Sequence, residues 1–144
     1  MTNQTTKVTL AQLATLSGTS ILDIQNWLKR LPLTTRYVPT TQGKAQGFTR
    51  DNAMEILLLS RMVRNRMPPA AAVEYIAKLF KEIRARKPHG WAIFFTGGNM
   101  PIDYMVTDKP PSAEFLSAID GAFVINVAKL ETDVDEFFAE LSDD

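Results

Sequence analysis

Gln25 and Asn26 stand side by side in the stretch ILDIQNWLKR, with Leu22 a turn before them and Lys29 and Arg30 a turn after. Carboxamides match an adenine edge with two hydrogen bonds at once, and Lys and Arg neutralise phosphates. The competing account of the same pair is an ordinary solvated helix face. Arg36, Lys44 and Arg50 bracket or interrupt the glycine-containing stretch PTTQGKAQG. They either hold a phosphate backbone in register or decorate a solvated hairpin. Other chemistry is sparse. The chain has no cysteine and one histidine, His89, which removes thiolate nucleophiles, disulfides and an ordinary zinc site. His89 lies in a Pro-His-Gly break, the place of a linker residue. TGGN at 96–99 offers backbone amides to an anion but lacks the Gly-Lys-Ser/Thr ending of a phosphate loop, and reads as a hairpin turn. Asp133, Asp135 and Glu136 lack EF-hand spacing and read as a solvated helix start. No catalytic residue, cofactor or metal is expected.

The elements that must position these side chains are legible in part. Thr9, with Gln12 three residues on, predicts a capped two-turn helix burying Leu10, Leu13 and Ala14 and stopped by Gly18. Ser20 caps the next helix, with Asp23 in the capping-box position. Ile21, Ile24, Trp27 and Leu28 form its expected inward stripe, and Trp27 is assigned to the core. Leu22, Gln25, Asn26, Lys29 and Arg30 face outward, and Pro32 ends the segment. A β-ribbon over 33–49 follows, returning through Gly47-Phe48-Thr49. Thr49 then caps a third helix over about 50–65 that buries Met54, Leu57, Leu58 and Met62. Arg61, Arg64 and Arg66 crowd its end, as phosphate ligands or as charges favoured at a helix C-terminus. A fourth helix over about 70–86 carries Val73, Ile76, Phe80 and Ile83 at helical spacing. Beyond Gly90 come two strands (WAIFFT and IDYMV), a short helix beginning at Pro110-Pro111, a strand AFVINVA apolar enough to be central, and a closing helix from Glu131.

Helix, tight turn, helix, hairpin, helix, helix is a winged helix-turn-helix order. VTLAQLATLSGTSILDIQNWLKR, an extended ribbon and GFTRDNAMEILLLSRMVRNRMPPAAAVEYIAKL together resemble the DNA-binding domain of MerR-type transcriptional regulators over roughly residues 7–85. The resemblance implies that the helix from Ser20 to Arg30 enters the major groove and that the ribbon from Leu33 to Thr49 is the wing. Gln25-Asn26-Trp27 replaces the family's Arg-Tyr and later aromatic, keeping only the second aromatic. Gln46-Gly47-Phe48 stands for its Arg-x-Tyr, and Met67-Pro68 for the Gly-Phe between its last two helices. The family's long coiled-coil helix and the cysteines of its metal sensors have no counterpart.

A net charge of zero conceals an asymmetry. Residues 1–90 hold 14 Lys and Arg against 5 Asp and Glu, a net +9, and residues 91–144 carry the compensating −9. A basic half joined to an acidic half points to a polyanion-binding part and a separate module. The expected organisation is a mainly α winged helix-turn-helix domain at 1–87, followed by an acidic α+β module (β-β-α-β-α) at 90–144. That module serves dimerisation or partner contact, with Trp91, Ile93, Phe95, Phe123, Ile125 and Phe137 as its apolar supply. The expected function is sequence-specific transcriptional regulation by a homodimer. Its candidate contacts to double-stranded DNA are Ser20, Leu22, Gln25, Asn26, Lys29, Arg30, Arg36, Lys44 and Arg50. RNA polymerase or another protein is a candidate partner for the second module. The alternatives are a phage or nucleoid architectural protein, acting in packaging or recombination, and a protein-interaction module. No apolar run approaches the roughly 20 residues of a membrane span, and MTNQTTK does not read as a signal peptide, so a cytoplasmic protein is expected.

Overall fold

The computed structural model describes residues 7–33, 47–85, 90–96 and 102–142. Within them the fold is mixed α and β, with six helices and one three-stranded antiparallel sheet. Two compact units are formed, one by the described residues up to Ile76 together with those from Glu131 onward, the other by Ala77–Leu130. The change of unit falls inside a continuous helix, Pro69–Ala85.

In the first unit, α1 (Leu10–Ser17) starts at a reciprocal cap. The Gln12 N–H donates to Thr9 Oγ1 at 3.2 Å and the Thr9 N–H to Gln12 Oε1 at 2.8 Å. α2 (Ile21–Arg30) starts at Ser20, and α3 (Arg50–Arg64) starts at Thr49, where Asn52 completes a second reciprocal box. Each such cap is worth about 1 kcal/mol. α3 is the axis of the unit. Every residue from Ala53 to Ser60 is buried, Glu55 included, so the helix is enclosed on all sides rather than along the single stripe its spacing predicts. Leu13 and Ile24 are buried in the same unit, as are Leu33, Met67 and Ile76, together with Val134 and Phe138 of the segment from Glu131 onward. Phe48 exchanges both backbone hydrogen bonds with Val8, at 2.8 and 2.9 Å. Among the described residues its strand partner is thus the start of the chain. The ribbon expected over 33–49 lies largely outside the described residues, which include only its ends.

α3 closes with Arg66 in the left-handed region at φ 68°. The Arg66 N–H reaches the Val63 carbonyl (2.9 Å) and the Met67 N–H the Met62 carbonyl (3.1 Å), a Schellman closure with Met67 buried beneath it. α4 (Pro69–Ala85) begins at a proline, where no N–H is missed.

The second unit is built on β1 (Trp91–Thr96), β2 (Asp103–Thr107) and β3 (Gly121–Asn126) in the order β2-β1-β3. AFVINVA was expected at the centre, but β1 takes that place and β3 is an edge strand. Ala92, Ile93 and Phe94 are consecutive buried residues, so both faces of β1 are covered, whereas in β3 only Ile125 is buried. One face lines up Ala92 with Val106 and Ile125, and Phe94 with Tyr104 and Phe123. The Phe94 ring stacks on Phe123 at 4.8 Å between centroids and on Tyr104 at 6.1 Å. The Tyr104 hydroxyl donates to Glu82 at 3.1 Å, and burial together with that carboxylate raises its pKa above the ordinary phenol value. The other face sets Ile93 between Met105 and Val124.

α5 (Ala113–Ser117) starts after Ser112 rather than at the prolines, because the Ser112 hydroxyl accepts from the Phe115 N–H at 3.0 Å. α6 (Val127–Ser142) starts one turn before the expected Glu131. Asn126 supplies the cap, accepting from the Lys129 N–H at 3.0 Å, and Val127 and Leu130 give that added turn its buried side. The acids expected at the helix start consequently lie within it, and its first turn has none. No helix among the described residues is long and apolar enough to cross a membrane.

Candidate nucleic-acid interface

The corner between α1 and α2 is three residues long, and α3 holds it. Gly18 takes φ 69° and returns its N–H to the Ala14 carbonyl at 2.9 Å, ending α1 with the conformation that costs glycine least. From α3, the Ser60 hydroxyl donates to the Ser17 carbonyl at 3.3 Å and lies 2.7 Å from the Thr19 hydroxyl. Arg61 donates to the Ser17 carbonyl at 3.1 Å. Arg64 donates to the carbonyls of Ser17 at 3.2 Å and Gly18 at 2.7 Å. Two of the three arginines read as either phosphate ligands or charges at their own helix end thus serve a different helix, capping the negative end of α1. Burial, and the neighbouring Arg64 cation, pull the Arg61 pKa below the ordinary guanidinium value, with Asp133 opposing them. The guanidinium remains charged at neutral pH.

This clamp fixes where α2 leaves the corner. Of its residues only Ile24 is buried. Leu22, Gln25, Lys29 and Arg30 are exposed, and Asn26 is half-buried. Ile21, assigned to the inward stripe, is exposed, and Trp27, assigned to the core, is only half-buried like Leu28. The helix rests on the unit through the narrow seam around Ile24, so the residues flanking that seam stay partly open. Ser20 is exposed at the mouth of the corner, and its hydroxyl is already engaged, accepting from the Asp23 N–H at 3.1 Å.

Arg36 and Lys44 lie outside the described residues. Arg50 is described, and its charge is met within the chain. Its guanidinium grips Asp135 with two nitrogens, Nε to Oδ1 and Nη2 to Oδ2, and lies 3.6 Å from Glu131 and 3.9 Å from Asp51. The hydrogen bond to Asp135 raises the Arg50 pKa against the lowering effect of burial, and the flanking carboxylates add to the rise. Sequence reasoning missed this pairing. Its only trace was the helical spacing of Glu131 and Asp135, which puts two carboxylates on one face of α6. Asp135 is thus paired with α3, and the charge of Asp133 acts on Arg61 of the same helix. Among the described residues no group of three or more His, Asp or Glu side chains is arranged to hold a metal ion. His89 and the centre of the TGGN turn lie outside the described residues. No protein-family model matches the chain, and no curated protein matches it.

Proposed function

We propose that the protein binds double-stranded DNA by laying the outward face of α2 in the major groove, as a homodimeric transcriptional regulator of MerR-like, winged helix-turn-helix type. The observation that carries this reading is the clamped corner. Ser60, Arg61 and Arg64 spend their hydrogen bonds on the carbonyls of Ser17 and Gly18, and the result is a short helix whose free side carries Gln25, Lys29 and Arg30. Such a helix meets a groove without rearrangement, and a groove-facing helix held by its neighbours is the common geometry of helix-turn-helix proteins. Gln25 and Asn26 read base edges in this account, and Lys29, Arg30, Arg36 and Lys44 neutralise phosphates.

Fluorescence anisotropy on a labelled random-sequence duplex tests it. With four phosphates neutralised, log affinity falls against log salt with a slope of roughly −4. A flat salt response overturns the reading.

A further inference from the structure

Among the described residues no large hydrophobic side chain is more exposed than Leu22, at 66%, and its neighbour Ile21 keeps 42% exposure. Both stand in the first turn of α2, directly after the clamped corner and the Ser20 cap. The helical period puts Leu22 and Lys29 on one line along the outward face, with Gln25 and Asn26 to either side of that line. From Leu22 to Lys29 the line runs about 10 Å, or about three steps of a nucleic-acid strand. One face thus presents an apolar end, two carboxamides and a cationic end.

Lys29 and Arg30 complement a polyanion rather than an apolar protein surface. Of the base edges a duplex shows in its major groove, only thymine offers a methyl group. Resting on the reading of α2 as the groove-facing helix, we infer that Leu22, with Ile21 beside it, recognises the C5-methyl group of thymine. The first turn of α2 then distinguishes thymine from uracil, and the carboxamides and cations behind it read and hold the neighbouring steps.

The test uses the full chain and one duplex, selected by it from a random pool and synthesised with either thymidine or deoxyuridine. The exchange removes the methyl groups and leaves the hydrogen-bonding edges unchanged. The uracil duplex is expected to bind about fourfold more weakly for each methyl contacted. In Leu22→Ala the two duplexes are expected to differ by less than about twofold, by the same conversion from buried methyl groups. Equal binding of both duplexes by the parent chain overturns the inference and leaves the DNA-binding reading standing. Failure to bind any duplex overturns that reading itself. A Leu22→Ala chain that keeps the full thymine preference places the discrimination elsewhere, and one that falls from dimer to monomer assigns the face to a second copy of the chain. Either result overturns the inference.

Discussion

Arg66 follows the last turn of α3 at φ 68°, where an L side chain crowds its own carbonyl. The backbone accepts this because the closure it makes, Arg66 to Val63 and Met67 to Met62, satisfies two carbonyls and seats Met67 in the core. The Arg66 side chain is exposed. Arg66→Gly is therefore expected to keep the closure, remove the strain and raise stability by up to about 1 kcal/mol, partly offset by the greater freedom of glycine in the unfolded chain. A urea titration checks it, and a lower midpoint contradicts it. Gly18 is the opposite case at a similar angle. A Cβ built there would meet Arg64 Nη2 at 2.5 Å and displace the end of that side chain from its carbonyls, while the left-handed backbone is what calls for glycine.

The elements show what a sequence can and cannot declare about itself. Thr9, Ser20 and Thr49 act as caps because capping is a contact over three residues, readable from local spacing. The inward stripe of α2 was harder, since the width of a buried face depends on what lies against it, and here only Ile24 is fully buried, with Trp27 and Leu28 half-buried beside it. The order of the sheet was harder again. β3 (GAFVIN) has four apolar residues of six against five of six in β1 (WAIFFT), a margin too small to rank them, and its place at the edge follows from which strand the other two pair with. The fate of Arg50 was out of reach, since its partner Asp135 is 85 residues away. That pairing carries a prediction. If Arg50 is freed for phosphate by Asp135→Asn with Glu131→Gln, duplex binding is expected to tighten and the salt slope to steepen by about one. The pair is partly exposed, so the cost in folding stability stays within about 1 kcal/mol. An unchanged slope in the anisotropy titration removes Arg50 from the DNA contacts.

At the scale of the molecule, a helix-turn-helix protein commonly needs two copies to span two half-sites. Of the apolar residues first considered for that contact, Ile93 and Ile125 are buried within the chain at 2% and 4% exposure and are not available. Met105 and Val124, flanking Ile93 on one sheet face, are each 37% exposed. The expected outcome is light scattering from the full protein at twice the 16.1 kDa chain mass, falling to one chain mass in Met105→Asp with Val124→Asp. A monomeric parent protein refutes the homodimer.

The sharing of the last helix between the two units has a consequence for synthesis. The unit built on α1, α2 and α3 includes the residues from Glu131 onward, with Val134 and Phe138 buried. A ribosome makes the N-terminal helices first, yet their core stays open until that stretch has also been made. At about 5–20 residues per second, the intervening segment delays closure by some seconds. During that interval the unit that carries α2 still lacks the residues from Glu131 onward. Translation thereby times the maturation of the proposed DNA-binding unit, which is completed only after the sheet has been synthesised.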